Sequence, residues 1–104
     1  MMTRVDIYAA INAERERQHA KWNRIHDWGF GDCSSDLVED PVKAAVLSEE
    51  VGEASKEFVE LALMSLMAYR SGMFSQAVLD RKRDTARDEV IQVAAVAVAI
   101  LEGM

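Results

Sequence analysis

Between Ala44 and Ala68, small or apolar residues recur at 44, 47, 51, 54, 58, 61, 65 and 68 without a break. Alternating steps of three and four put these positions on one stripe of an α-helix and would scatter them over both faces of a strand, so the pattern admits one kind of element. Asp40-Pro41 offers a capping side chain followed by proline at the first helical position, and Ser71-Gly72 offers the stop. A helix over that span is about 45 Å long, and an apolar stripe along it must be covered by other helices. The stripe is the expected core face, with Gly52 the point where the helix has reason to kink or divide.

A second stripe runs beside the first at the same spacing: Val46, Glu50, Glu53, Glu57, Glu60, Met64 and Met67. Its ends are apolar and its middle is a row of carboxylates. A solvent face mixes signs along its whole length, whereas this one turns acidic only where the core should continue. Carboxylates gathered in this way repel one another and favour a hard cation such as Mg²⁺ to neutralise them. Glu49 lies on neither stripe, so spacing alone makes it the weakest ligand of the group. The competing reading is an ordinary exposed face on which Lys56 pairs with Glu53 and Glu60.

The flanking segments are punctuated cleanly. From Thr3 to Trp22 there is no Gly or Pro, and Ile7, Ile11, Gln18 and Trp22 share a helical face. Residues 23–40 hold Gly29, Gly31, Ser34 and Ser35, with Trp28 and Phe30 among them, which predicts a loop longer than ordinary connections and of the kind that forms lids or is mobile. Ser75 is placed to cap a third helix reaching about Glu102. There is no strand alternation, internal repeat or second domain. With 104 residues, 50% hydrophobic and 29% charged, the chain can bury one modest core. The expected architecture is all-α, an antiparallel bundle of three to four helices forming a single domain over 1–104. If the second and third helices turn back near Gly72-Met73, equal counting sets Glu53 level with Val93 and Glu57 level with Glu89. Glu50, Glu53, Glu57, Glu89 and Gln92 then fall within about 11 Å along the axis, close enough for one or two Mg²⁺ ions.

Composition narrows the classes of partner. A net charge of −6 excludes a broad surface for nucleic acid or for an anionic membrane. The single cysteine, Cys33, cannot form an internal disulfide, and no N-terminal apolar segment resembles a signal peptide, so a cytoplasmic protein is expected. Two histidines and one cysteine make a structural zinc site improbable. The apolar run Val93 to Leu101 is nine residues, about half of the ~20 that span a bilayer. Because that run is apolar all round, covering one face against the second helix leaves others bare. This predicts a homodimer or higher homo-oligomer that buries the third helices against each other.

The runs Ser48-Glu49-Glu50-Val51-Gly52-Glu53 and Asp88-Glu89-Val90-Ile91-Gln92 carry a resemblance. The chain resembles the MazG-like, all-α nucleoside triphosphate pyrophosphohydrolase superfamily, whose signature is EExxE followed by ExxD on the next helix pair. Glu49, Glu50 and Glu53 match the first half, and Glu89 matches the Glu of the second. The likeness is closer to small phage and prophage members, in which a stretch like Glu14 to Trp22 precedes one like Glu89 to Ala97. The resemblance implies Mg²⁺- or Mn²⁺-dependent hydrolysis of a nucleoside triphosphate to the monophosphate and pyrophosphate, of a house-cleaning kind. It implies Glu50, Glu53 and Glu89 as metal ligands, Glu49 as a ligand or water base, and a dimer or higher assembly.

Position 92 departs from the signature, with Gln in place of Asp. An amide oxygen can touch the ion but brings no charge, so Gln92 is the weakest ligand implied, and Glu57 or Asp88 is the acid placed to compensate. Arg17, Lys21 and His19 are candidates to meet phosphate, and Trp22, Trp28 or Phe30 to stack on a base, although packing is the commoner role for such aromatics. Two classes of function therefore stand: a pyrophosphohydrolase, or a catalytically weakened helical module of the same fold that holds a nucleotide or a protein partner.

Overall fold

The computed structural model describes residues 1–27 and 29–104. Three helices account for most of them: α1 (Arg4–Trp22), α2 (Asp40–Ser71) and α3 (Gln76–Glu102). Each boundary has a local cause. Thr3 and Asp6 form a reciprocal capping box at the start of α1, and Ser75 Oγ accepts from Val78 N at the start of α3. Gly72 ends α2 in the left-handed conformation at φ 65°. The cap of α2 is Glu39 rather than Asp40, which is itself helical, and α2 runs through Gly52 as one element. Inside the loop, β1 (Ile25–His26) and β2 (Gly29–Phe30) pair antiparallel, a two-residue hairpin too short to show alternation in sequence.

The central helix is α3. It packs against α2 on one side and α1 on the other, and α1 and α2 make no close backbone approach. As residue numbers fall along α2 from Glu60 to Glu50, their partners rise along α3 from Lys82 to Glu89, so the two run antiparallel. Gln18 with Gln92 and Arg15 with Glu102 show the same opposed sense for α1. The seams are lined by small residues: Ala54 on α2 and Ala86, Ala95 and Ala99 on α3 are buried, with Leu61 and Val96 the larger members. No large side chain is fully buried among the described residues.

Three expectations need correction. First, only part of the apolar stripe on α2 is core: Ala54 and Leu61 turn inward, but Val51 and Phe58 are 45% and 49% exposed. The stripe is wider than one partner helix covers, and α1, the other candidate, packs elsewhere. Second, the apolar run on α3 is less bare than the sequence predicts, because α3 packs against both α1 and α2: Ala95, Val96 and Ala99 are buried, Val93, Ala94, Ala97, Val98 and Ile100 half-buried and Leu101 exposed. The unpartnered apolar face lies on α2 instead, where Val51, Phe58, Val59, Leu63, Leu66 and Tyr69 are exposed. Third, the 23–40 segment is not plain loop but carries the short β1–β2 hairpin and buried residues of its own. Asp32 and Val38 are buried in it, and Gly31 at φ 107° lies so close to its surroundings that a Cβ there would stand 2.8 Å from Ser35 Oγ.

The result is flat and long, 52 × 29 × 19 Å with a radius of gyration of 16.4 Å. A compact chain of this length has about 13 Å. No helix among the described residues is long and apolar enough to cross a membrane.

Candidate metal centre and adjoining cavity

On α2 the EExxE run presents Glu50 and Glu53 one turn apart on the border of the α2–α3 seam, and α3 brings Glu89 to meet them. One carboxylate oxygen from each lies within 4.8 Å of the others. Glu50 and Glu89 are half-buried and Glu53 is exposed. Oε2 of Glu50 and Oε2 of Glu89 are cut off from solvent and meet no hydrogen-bond donor among the described residues. Such orphaned anionic oxygens cost free energy unless a cation or proton satisfies them.

The electrostatics agree with the geometry. Burial, and then the neighbouring charges of Glu53, Glu89, Glu49 and Glu14, raise the Glu50 carboxyl above the usual range. Glu89 is raised in the same way, by burial first and then by Glu53, Glu57, Asp88 and Glu14. The site concentrates negative charge and resists holding all of it. Glu14, on α1, is a member that the spacing of α2 and α3 could not reveal, since nothing local ties residue 14 to residue 50. Its carboxylate is clamped by Arg17, whose Nε donates to Oε2 at 2.7 Å.

Glu57 stands apart from this group. Its Oε2 lies 2.6 Å from Lys82 Nζ, and Lys82 also bonds Glu60. Equal counting from the turn put Glu57 level with Glu89; the structure draws it to Lys82 and sets Glu53 and Glu50 against Glu89. The register is thus offset by one to two helical turns from equal counting, with the start of α3 lying alongside α2 rather than beyond its end. The Lys56 pairing expected of a plain surface is present only toward Glu60, at 3.8 Å.

The remaining candidates separate by position. Glu49 is exposed and borders a cavity of about 230 Å³ that Glu50 also lines. The cavity walls are Val42, Val46, Val96 and Ala99, with Trp22 and Gln18 from the end of α1 and Asp32 and Cys33 from the loop. Burial, then the Asp32 charge, raises the Cys33 thiol, so it is neutral and adds no charge to this lining. Gln92 follows Glu89 by one turn, and its backbone carbonyl accepts from Gln18 Nε2 at 3.3 Å. Asp88 is exposed beside the cluster. Trp22 is half-buried, with Lys21 Nζ 4.8 Å from its ring centre, so Lys21 is engaged with the indole. Arg17 is engaged with Glu14. Trp28 lies outside the described residues.

Sequence reasoning missed the network that shapes the cavity wall. Arg15, 8% exposed, donates from Nη1 to Asp32 Oδ2 and from Nε to Glu102 Oε1, both at 2.9 Å. His19 Nδ1 donates to the same Asp32 oxygen at 2.9 Å, and Ser34 donates to Oδ1 through its backbone and hydroxyl. Burial alone would raise Asp32; the bonds from Ser34, His19 and Arg15 outweigh it and hold the carboxyl down at about 2. Through Nδ1, His19 thus anchors the loop. Lys43 is buried close by, its Nζ 3.1 Å from where a Gly103 Cβ would stand, at the negative end of α3.

No family model, no curated protein and no solved structure matches the chain.

Proposed function

We propose that the protein is a Mg²⁺- or Mn²⁺-dependent nucleoside triphosphate pyrophosphohydrolase of MazG-like type, converting a triphosphate and water to the monophosphate and pyrophosphate. The observation that supports it most is the pair of orphaned oxygens on Glu50 and Glu89 beside Glu53, which fits the donor set of a hard cation. Glu50, Glu53 and Glu89 would hold the ion. When bound, it would supply positive charge for phosphate oxygens and acidify a water. Glu49, on the cavity wall next to Glu50, would take the proton of the attacking water. The apolar cavity beside Trp22 would exclude solvent from a base, and the anchored loop would hold that wall in place.

Gln92 favours the second reading, a helical module that binds a nucleotide or protein without turning it over. Release of pyrophosphate from a panel of nucleoside triphosphates with Mn²⁺ decides between them, and total silence across the panel would leave the module. Gln92→Asp adds a carboxylate one turn from Glu89. It should tighten metal binding if residue 92 is a ligand, and destabilise the fold if it is packing.

The assembly expected with this reading is a homodimer, formed by the outer face of α2. A compact monomer of 11.6 kDa exposes about 5,800 Å², whereas this protomer exposes 7180 Å². The excess exceeds the ~800 Å² that each partner contributes to a standard interface. Positions 51, 55, 58, 62, 66 and 69 repeat at helical spacing on that face, so a second copy of α2 can cover it. Sedimentation should show a dimer for the natural sequence and a monomer for Phe58→Glu. A natural protein that stays monomeric at all concentrations would remove this assembly.

A further inference from the structure

The acidic stripe on α2 reads in sequence as one row, Glu50, Glu53, Glu57 and Glu60, long enough for two ions. The structure divides it. One half faces an acid of α3, Glu89, and the other faces a base, Lys82, two turns nearer the start of that helix. Lys82 Nζ reaches Glu57 at 2.6 Å and also bonds Glu60. Lys82 and Glu57 are each 18% exposed at the side chain, so the pair is well shielded and not a passing surface contact. On the opposite flank Glu14 is held by Arg17. Of the acids that influence Glu50 and Glu89, the two with shielded side chains outside the three-carboxylate group thus already have a cation each.

We infer that the centre takes a single divalent cation, confined to Glu50, Glu53 and Glu89, and that Lys82 is a positioning residue standing in place of a second ion. This rests on the metal-dependent reading above. Paired ions in two-metal sites lie about 3.5–4 Å apart and share bridging carboxylates. Along this stripe the next carboxylate is Glu57, and its Oε2, though without an aligned hydrogen-bond donor, already has the Lys82 ammonium 2.6 Å away. A further divalent ion would have to displace Lys82 against the repulsion of a half-buried like charge.

The test is Mn²⁺ binding followed by electron paramagnetic resonance, with the nucleotide left out. The natural protein should bind one Mn²⁺ per protomer. Lys82→Met, which keeps the aliphatic stem and removes the ammonium, should bind a second, whereas Lys82→Arg should stay at one. Two ions per protomer in the natural protein, or one in Lys82→Met, would overturn the inference while leaving the metal reading intact. No binding by the natural protein would remove both. If Lys82→Met does not fold, the double variant Glu57→Gln, Glu60→Gln answers the same question. Its affinity for the one ion should change by less than about threefold, a small shift on the scale where tenfold is 1.4 kcal/mol. A loss of tenfold or more would make Glu57 or Glu60 a ligand and sink the assignment.

Discussion

The two halves of the α2–α3 seam are built from the same residue on the same helical stripe, yet one is finished and the other is not. Around Lys82, Glu57 and Glu60 are neutralised by an ammonium of the chain itself. Around Glu89, Glu50 and Glu53 meet a third carboxylate, and an oxygen each of Glu50 and Glu89 has neither a donor nor a cation, whereas Glu57 Oε2, also without an aligned donor, has the ammonium 2.6 Å away. A seam needing only structural strength would use the first arrangement throughout. The second weakens the metal-free fold, because burial and mutual repulsion push Glu50 and Glu89 toward protonation. The contrast teaches where to look for function: at the acid group that the chain leaves unbalanced, not at the most acidic stretch of sequence.

The harshest way to break the contrast is to remove a member of the unbalanced half. Glu89→Ala should lower Mn²⁺-dependent pyrophosphate release by about 100-fold or more, since loss even of groups supporting a ligand costs 10–100-fold, and should abolish the rise in melting temperature with Mn²⁺. Normal turnover by this variant would place the chemistry elsewhere.

A balanced acid should behave in the opposite way. Asp32, buried against Arg15, His19 and Ser34, contributes stability through its charge, so Asp32→Asn should cost about 2–4 kcal/mol in denaturant unfolding. Its pH signature follows from a carboxyl held at about 2 against an ordinary 3.8. The stabilisation is complete above 3.8 and is lost as pH falls toward 2, some 2 kcal/mol in all. A flat acid limb would deny the network its role.

Smaller and of reversed sign is the effect of neutralising the unbalanced half. Glu50→Gln keeps the shape and removes a repelled charge, so the metal-free variant should melt a few degrees higher than the natural protein, on the order of 1 kcal/mol or less, while losing its response to Mn²⁺. A lower melting temperature would show that Glu50 has a stabilising partner.

Least in size, the metal-free protein should lose stability as pH rises from near 4.5 through the raised values of Glu50 and Glu89. A carboxyl whose folded value lies above its unfolded one favours the fold while protonated and opposes it once charged. Millimolar Mn²⁺ should flatten that slope by competing with the proton. An identical slope with and without Mn²⁺ would mean that the ion does not reach these carboxylates.

Legibility differed from element to element for physical reasons. The helix bounds were readable because caps and stops are local: Thr3 with Asp6, Ser75 with Val78 N and Gly72 at the end of α2 act within one turn. Glu50 and Glu53 were readable together because i, i+3 spacing puts them on one face of a helix, whereas Glu89 entered through the resemblance, equal counting having set it opposite Glu57 rather than Glu53. The exposed face of α2 was misread as core because periodicity shows that a stripe is apolar, not how many neighbours it has. The run from Val93 to Leu101 was expected to be covered on one face only for the same reason, its second neighbour being α1 across the chain. The Arg15–Asp32–Glu102 network left no local trace, since its members are separated by 17 and 87 residues.

By itself the sequence determined three helical segments, leaving open whether the second divides at Gly52, their approximate limits, and a row of evenly spaced glutamates on one of them. Hydrogen bonds to caps and the 3.6-residue repeat operate over a few residues and are written in the chain directly. Only the tertiary structure decided which of those glutamates meet a lysine and which meet another acid, because that depends on how far α3 slides along α2. A slide of about two turns would exchange one partner for the other, and the register is held by contacts along the seam between the helices rather than by any signal within either one.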